Sequence, residues 1–270
     1  MTHFTQLFAA GAIASACLFG VPSAQAEITD ELVSYWDWEG SFNDQFGAGN
    51  GTGVNTPGFN TGLFGQALEL AGGSTDNYVE ITNESLYDFG AAGNGFTFST
   101  WTRVDAFDTD FQTLVSKGDG FDQFRAARFF GTPQINFVAG GGGAELPHDG
   151  SQPAIDDGAW YHIVTVHNGG GGNNELWING SLITSGSRTD VADTDLSLWI
   201  GNNPDNPDRG WDGLLDDTAI WGRALSSSEI TQIYNEGLGG NSLATIIPEP
   251  GSLALLGLGG LMTLRRRRAS

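Results

Sequence analysis

Short segments in which apolar and polar residues alternate recur along most of the chain, and this pattern constrains the fold more than any other feature. In NYVEITN, Val79 and Ile81 alternate with the polar Glu80, and similar runs are GFTFSTWTRVD, WYHIVTVHN and LSLWIGN. Successive side chains of a β-strand point to opposite faces, so each run predicts a strand with one buried face. Gly, Asn and Asp separate the runs, and the Asn179-Gly180 pair predicts a hairpin turn. Many short strands joined by turns predict an all-β fold, a sandwich of two antiparallel sheets.

One segment, SSSEITQIYNEG, has helical rather than strand spacing. Ser226 lies three residues before Glu229, which predicts a capping box at the start of a helix, and Gly237 predicts its end. Such a helix would bury one stripe of side chains, formed by Ile230, Ile233 and Tyr234. We therefore expect a single short helix after the last long strand.

The charge is distributed very unevenly along the chain. Of 32 acidic residues only Glu249 lies in the C-terminal tail, and four of the 11 basic residues are Arg265, Arg266, Arg267 and Arg268. The body therefore has 31 acidic and 7 basic residues, a formal charge of −24. Such a body repels nucleic acid and anionic membrane surfaces, so we expect no nucleic acid partner. Attraction of divalent cations and plain solubility in a salty medium both explain the charge.

The N-terminus has the pattern of an export signal. Residues 7–21 are apolar, and the SAQA sequence places a cleavage site of the A-x-A type at Ala24 and Ala26. We therefore predict a signal peptide over residues 1–26, removed by signal peptidase, although its first residues contain no Lys or Arg. The single cysteine, Cys17, lies inside this segment, so the mature chain would have neither disulfides nor a thiol nucleophile.

The C-terminus combines Pro248, Glu249 and Pro250 with a short apolar segment, residues 251–264, and the four arginines. As a helix, 14 residues span about 21 Å, whereas the hydrocarbon core of a bilayer is about 30 Å thick. The arginines would hold the end of this segment on the cytoplasmic side. Two interpretations follow, a transient sorting signal or a simple C-terminal anchor.

The body resembles a known family along nearly its whole length. The ordered segments LVSYWDWEGSFNDQFGAGNGTG, GLFGQALELAGG, YVEITN, FTFSTWTRV, WYHIVTVHN, ELWINGSLI and GLLDDTAIWGRALSSSEITQIYNEG are similar to LamG-like domains of the concanavalin A-like lectin/glucanase superfamily. The resemblance implies a two-sheet antiparallel jelly-roll sandwich over residues 27–241 with one short C-terminal helix.

The tail, residues 242–270, resembles the PEP-CTERM sorting signal. This resemblance implies that the exported chain pauses in the inner membrane until an exosortase cuts near Pro248, Glu249 and Pro250. It also implies a Gram-negative host that produces exopolysaccharide, with delivery to the cell surface or the extracellular matrix. Whether the mature protein is released or stays attached is left open.

No catalytic constellation is evident in the sequence. Retaining glucanases of the superfamily carry two close carboxylates with an E-x-D-x-E-like spacing, and the chain lacks it. Asp216 and Asp217 are adjacent, so strand alternation would place them on opposite faces. His162 falls on the apolar face of its strand, which favours a core role. We therefore predict a non-enzymatic protein, with a glycan-cleaving hydrolase as an alternative.

The resemblance implies one metal site. Jelly-roll domains of this superfamily often hold a structural calcium where the opening strand ends beside the closing strand, and the matching residues are Glu39 and Asp216. The alternative for Asp216 is a loop cap or a bond to a neighbouring amide. The acid-rich loops 105–110 and 205–210 lack the order of an EF-hand, so we expect them to be solvated.

The eight tryptophans raise the question of sugar binding, because aromatic faces stack well on pyranose rings. Most of them lie in alternating strands, where we expect a core role: Trp36, Trp38, Trp160, Trp199 and Trp221. Trp211 lies in a loop and is the tryptophan to test for ligand contact, although core packing is the favoured interpretation.

These observations predict a carbohydrate-binding or adhesion module of the cell surface or exopolysaccharide matrix. Its expected partners are a polysaccharide or surface glycan, together with the exosortase and signal peptidase during export. A structural matrix protein without a specific ligand is the main alternative.

Overall fold

Fourteen short β-strands and one α-helix make up the regular structure of the described residues. The computed structural model describes residues 27–72, 76–92, 95–118, 123–140, 145–146, 150–170, 172–187 and 191–247. The predicted signal peptide and the sorting residues Pro248, Glu249, Pro250 and Arg265 to Arg268 lie outside these ranges. Among the described residues, no helix has both the length and the apolar character needed to cross a bilayer.

All fourteen strands of the described residues precede the helix in the chain. Their bounds are β1 Leu32–Trp36, β2 Thr52–Val54, β3 Gly58–Thr61, β4 Gln66–Leu70, β5 Tyr78–Ile81, β6 Phe96–Val104, β7 Thr113–Ser116, β8 Phe124–Arg128, β9 Ile135–Ala139, β10 Trp160–His167, β11 Asn173–Ile178, β12 Ser181–Ser187, β13 Leu198–Ile200 and β14 Gly213–Trp221, followed by α1 Ser227–Leu238.

The strands form two antiparallel sheets. The eight-stranded sheet has the order β12-β11-β10-β6-β14-β4-β3, with β1 also paired to β14. The six-stranded sheet has the order β2-β5-β13-β7-β8-β9. The predicted hairpin joins β11 to β12, and both Asn179 (φ 51°) and Gly180 (φ 72°) adopt the left-handed conformation that this tight turn requires. The predicted all-β sandwich is confirmed.

The main core lies between the two sheets and is rich in aromatic side chains. Trp36 and Trp38 are fully buried there, with ring centroids 6.0 Å apart, and Phe96 packs against both Phe89 and Phe124. Each large apolar side chain removed from water stabilises the fold by about 1.5–3 kcal/mol. The core role predicted for Trp36, Trp38 and Trp221 is confirmed by their complete burial.

Helix α1 covers the outer face of the eight-stranded sheet. Both halves of the predicted capping box are present, because Ser226 accepts from the Glu229 N–H and the Glu229 side chain accepts from the Ser226 N–H. Ile230 and Ile233 are buried against this face as expected. The predicted end at Gly237 is wrong, because the helix continues to Leu238 and Gly239 is its C-cap.

The chain after the helix also packs on the eight-stranded sheet. Leu243 and Ile247 are buried in the same cluster as α1, beside Trp221 and Tyr35. A 3₁₀ turn, Leu243–Thr245, begins this packing, and its first N–H is bonded to Asp217. The described residues up to 247 therefore pack on the sandwich.

Candidate functional site

Glu39 and Asp216, the two predicted calcium ligands, both face the hairpin turn 62–65 between β3 and β4. Glu39 Oε1 accepts the Gln66 N–H at 2.9 Å. Asp216 Oδ2 accepts from the N–H groups of Leu63 and Phe64 at 2.8 and 2.9 Å. The structure thus brings the two residues to one turn, where both bind backbone amides.

A bulge in β14 separates Asp216 from its neighbour Asp217. The pairing of β14 with β6 shifts between Asp216 and Ala219, and Asp217 has a left-handed φ of 46°. The prediction that the two carboxylates lie on opposite faces assumed unbroken alternation, and the bulge, which inserts one extra residue, removes that assumption. They still have different partners, since Asp217 accepts from the Tyr35 hydroxyl and the Leu243 N–H.

Burial changes the acidity of both carboxyl groups. Removal from water raises the pKa of Asp216 to about 8, although three backbone N–H bonds oppose the change. Burial likewise raises the pKa of Asp217 to about 6. Among the residues that the structure describes, no group of three or more His, Cys, Asp or Glu side chains is arranged to hold a metal ion.

His162 has the predicted core position. Its side chain is buried under α1, its Nε2 lies 2.8 Å from Ser99 Oγ, and its ring packs near Trp101 and Tyr234. Burial lowers the pKa of the imidazole to about 3, so it is neutral under ordinary conditions. A substrate has no access to this serine–histidine pair, because both side chains are at most 1% exposed.

The burial of Trp211 argues against ligand contact and agrees with the core role that the sequence favoured. Trp211 is 0% exposed and packs edge-on against Phe107, with the ring centroids 5.6 Å apart. Neither face of a fully buried indole is available to a glycan.

A different tryptophan lies on the surface. In β13, Leu198 and Ile200 enter the core, so Trp199 between them points outward from the six-stranded sheet. In the neighbouring strand β5, Tyr78 and Glu80 also point outward. The Tyr78 and Trp199 rings stack with centroids 3.9 Å apart and planes 18° from parallel.

The side chains of Tyr78, Trp199 and Glu80 form what we call the aromatic platform. All three are half-buried, and Glu80 is the direct cross-strand partner of Trp199. The core role predicted for Trp199 is therefore wrong, and the strict alternation in LSLWIGN was the signal that could have placed it outside. Each ring covers one face of the other, which leaves the remaining face of each ring for the polarised C–H groups of a sugar. The adjacent Glu80 carboxylate can accept hydroxyl protons, so the platform can bind carbohydrate.

A second aromatic group lies on the same face, and we call Phe111, Phe130, Arg125 and Arg209 the Phe–Arg cluster. The rings of Phe111 and Phe130 are 4.5 Å apart, and Phe130 is 49% exposed. The guanidinium carbons of Arg125 and Arg209 lie 5.0 and 4.8 Å from the Phe111 ring centre. Such distances give favourable cation–π contacts.

Both phenylalanines of this cluster have unusual backbones. Phe111 has φ 61° and Phe130 has φ 48°, a region in which bulky residues are strained. Strain of this kind is commonest at functional sites, where the surrounding structure maintains it.

The acid-rich loops meet on one side of the sandwich. Burial raises the pKa of Asp76, and the negative charges of Asp208 and Asp108 raise it further. Burial also raises the pKa of Asp212, with smaller contributions from the charges of Asp108 and Asp105. The two loops therefore share one negative region rather than lying apart.

Two sequence families match the chain. The first is described as the concanavalin A-like lectin/glucanases superfamily and covers residues 72–231, more than half of the chain. The second is the PEP-CTERM protein-sorting motif, which covers residues 247–268. Both agree with the resemblances seen in the sequence. No functionally curated protein matches the chain.

Solved structures with similar folds have low sequence identity. The binding domain of botulinum neurotoxin DC in complex with SialylT aligns with a TM-score of 0.57 and 16% identity, over 77% of this chain and 52% of that one. The binding domain of Paraclostridial mosquitocidal protein 1 aligns with a TM-score of 0.59 and 19% identity, over 77% and 52%. The chain thus spans about half the length of these toxin domains.

A third structure matches over nearly all of its length. Domain 4 of AbnA, a GH43 extracellular arabinanase from Geobacillus stearothermophilus, in complex with arabinotriose, aligns with a TM-score of 0.53 and 21% identity, over 75% of this chain and 97% of that one. These similarities establish the fold, and two of the three structures are described as binding domains.

Proposed function

Because this chain belongs to the concanavalin A-like lectin/glucanases superfamily and carries a PEP-CTERM sorting motif, we propose that it is an exported, non-enzymatic module that binds carbohydrate. The sorting motif marks an exported protein that is processed by an exosortase. The cell surface or the exopolysaccharide matrix of a Gram-negative host is the proposed destination.

The aromatic platform is the observation that supports this function most directly. Tyr78 and Trp199 present stacked rings on a sheet face that α1 does not cover, and Glu80 adds a hydrogen-bond acceptor beside them. Sugar sites need these two features, an apolar surface for the ring and a few placed polar groups. Similar folds bound to arabinotriose or SialylT give this assignment a precedent.

Calcium is a further part of the proposal. Glu39 and Asp216 would supply hard oxygens at the 62–65 turn, and backbone carbonyls or water would complete the set. A carboxylate has about four lone-pair sites. Asp216 uses three of them for N–H bonds and Glu39 uses one, so each retains capacity for a cation.

Binding to a broad glycan array and to the host's own exopolysaccharide tests the function. We expect the full chain to bind, and Trp199→Ala to weaken binding about tenfold, the scale of one aromatic anchor. Trp160→Ala is the matched control, because Trp160 is also half-buried but lies on the other sheet. Failure of the folded wild-type protein to bind any glycan would reject the proposal and favour a structural matrix protein.

Repeating these measurements with calcium and with a chelator shows whether glycan binding depends on calcium. Calcium binding that is lost in both Glu39→Gln and Asp216→Asn would support the metal site. Glycan binding that is equal under both conditions would leave the carbohydrate function intact and remove calcium from it.

A further inference from the structure

Residues 242–247, which we call the C-terminal strap, join the folded body directly to the sorting motif. The match to that motif begins at residue 247. Ile247 is nevertheless only 6% exposed and belongs to the hydrophobic cluster that α1 also enters. The first residue of the motif is therefore part of the packed body, and no spacer separates the two.

The strap is attached to the sandwich by a small set of contacts. Leu243 and Ile247 are buried in the cluster on the outer face of the eight-stranded sheet. The Leu243 N–H donates to Asp217 Oδ2 at 2.5 Å, and the Ser242 side chain forms a hydrogen bond with the Tyr35 hydroxyl. Attachment therefore depends mainly on two apolar side chains and on the Tyr35–Asp217 pair beneath them.

Two glycines between α1 and the strap provide a hinge. Gly239 is the C-cap of α1, and Gly240 has a left-handed φ of 82° with open space among the described residues where a Cβ would lie. Within the strap, the N–H groups of residues 245–247 donate to the carbonyls of Ser242 and Leu243. The strap can thus move away as one unit without breaking α1 or a strand.

The docked strap leaves little room for a protease at the sorting motif. The apolar segment of the tail begins at Gly251, and the four peptide units that join it to Ile247 span at most about 14 Å. Proteases cut segments that are exposed or transiently open, so a bond near Pro248 is a poor substrate while Ile247 is buried. Detachment of the strap would add about 20 Å of free chain.

We propose, on the basis of the exosortase processing proposed above, that the C-terminal strap controls access to the sorting cleavage site. The exosortase acts on molecules in which the strap has detached from Asp217 and the surrounding cluster. The rate of processing therefore follows the fraction of molecules whose strap is open.

Limited digestion of the full chain in detergent tests the opening itself. Cleavage by proteinase K within residues 243–247, located by mass spectrometry, should be about tenfold faster in Leu243→Ala than in the wild type, because the truncated side chain holds the strap less firmly. Leu238→Ala is the matched control, since Leu238 lies close by in the sequence but is 64% exposed. Equal cleavage of the two variants would overturn the proposal.

A spacer tests the role of the strap in processing. Insertion of about eight Gly and Ser residues after Ile247 gives a protease room while the strap stays docked. Membranes that contain the exosortase should remove the tail at least about fivefold faster from this variant and from Leu243→Ala than from the wild type. The same insertion at the exposed Gly158 is the control and should change nothing. A wild-type rate in either variant, in a folded protein, would overturn strap control.

The outcomes separate this inference from the function on which it rests. Removal of the tail at one rate from every variant would keep exosortase processing and reject control by the strap. If no variant loses its tail, although proteinase K still distinguishes Leu243→Ala from Leu238→Ala, then exosortase processing itself is rejected, and control by the strap is rejected with it.

Discussion

The Tyr35 hydroxyl donates a 2.5 Å hydrogen bond to Asp217 Oδ1, a contact between residues 182 positions apart. The other oxygen of Asp217 accepts the Leu243 N–H, also at 2.5 Å. All three residues are buried. One carboxylate therefore joins β1, β14 and the segment that follows α1.

Removal of the Tyr35 hydroxyl should destabilise the fold. Tyr35→Phe leaves a buried carboxylate with one donor fewer, and we expect a loss of about 1.5–3 kcal/mol in the free energy of unfolding. Tyr161→Phe, which removes a 3.2 Å bond to the exposed Asp157, should cost less than about 0.5 kcal/mol. Urea titration measures both, and equal losses would contradict the joining role of Asp217.

Stability should fall as the pH rises above about 5. The folded-state pKa values of Asp216 and Asp217, about 8 and about 6, lie above the ordinary value of 3.8. In this range the folded state binds more protons than the unfolded state, so their contribution is fully present below the ordinary pKa and is lost as pH rises through 6 and 8. The melting temperature between about pH 5 and pH 9 measures this slope.

Two variants identify the source of that slope. Asp216→Asn should flatten the slope of melting temperature against pH at the upper end of this range, whatever its effect on the absolute melting temperature. Asn at the exposed position Asp156 should leave the slope unchanged. Calcium, if bound by Asp216, should also flatten the slope because it favours the ionised carboxylate. A wild-type melting temperature that rises from pH 6 to pH 9 would contradict the raised pKa values.

Gly237 should not tolerate alanine, although alanine normally favours helices. A Cβ at Gly237 would lie 2.4 Å from Trp101 Cζ2, whereas one at Gly239 would come no closer than 3.2 Å to any neighbouring atom. We expect Gly237→Ala to cost about 1–3 kcal/mol through overpacking and Gly239→Ala to cost much less. Thermal unfolding of the pair tests this, and a stabilised Gly237→Ala protein would refute it.

Trp211→Phe should lower the stability of the fold without changing its affinity for glycans. Because Trp211 is fully buried, its replacement should lower the free energy of unfolding by about 1–3 kcal/mol. Affinity for any glycan should stay within about twofold of the wild-type value, since the indole has no exposed face. A selective loss of glycan binding, with stability unchanged, would show instead that Trp211 contacts the ligand.

Local patterns predicted the elements that depend on neighbours in the sequence. Alternation identified the strands, and the Ser226–Glu229 spacing identified the start of the helix, since both signals act within a few residues. The helix end was missed for a tertiary reason. Gly237 lies against Trp101, so it serves close packing rather than termination.

The candidate site depends on contacts that the sequence does not display. The bulge at Asp216 and Asp217 interrupts an otherwise regular pattern, and its effect on side-chain direction depends on pairing with β6. Left-handed backbones at Phe111 and Phe130 are equally hidden, because that conformation is expected of glycine. Only Trp199 could have been placed outside, from the alternation of its own strand.

The burial of Ile247 determines which side of the sandwich faces a support that is coupled directly after this residue. Ile247 packs on the side of the eight-stranded sheet that carries α1, whereas Tyr78 and Trp199 lie on the opposite side of the sandwich. A label, bead or sensor surface coupled after this residue is therefore held close to the helix side. A chain that ends at Ile247 and is immobilised there will present the aromatic platform to solution, whereas coupling through the platform side would mask it.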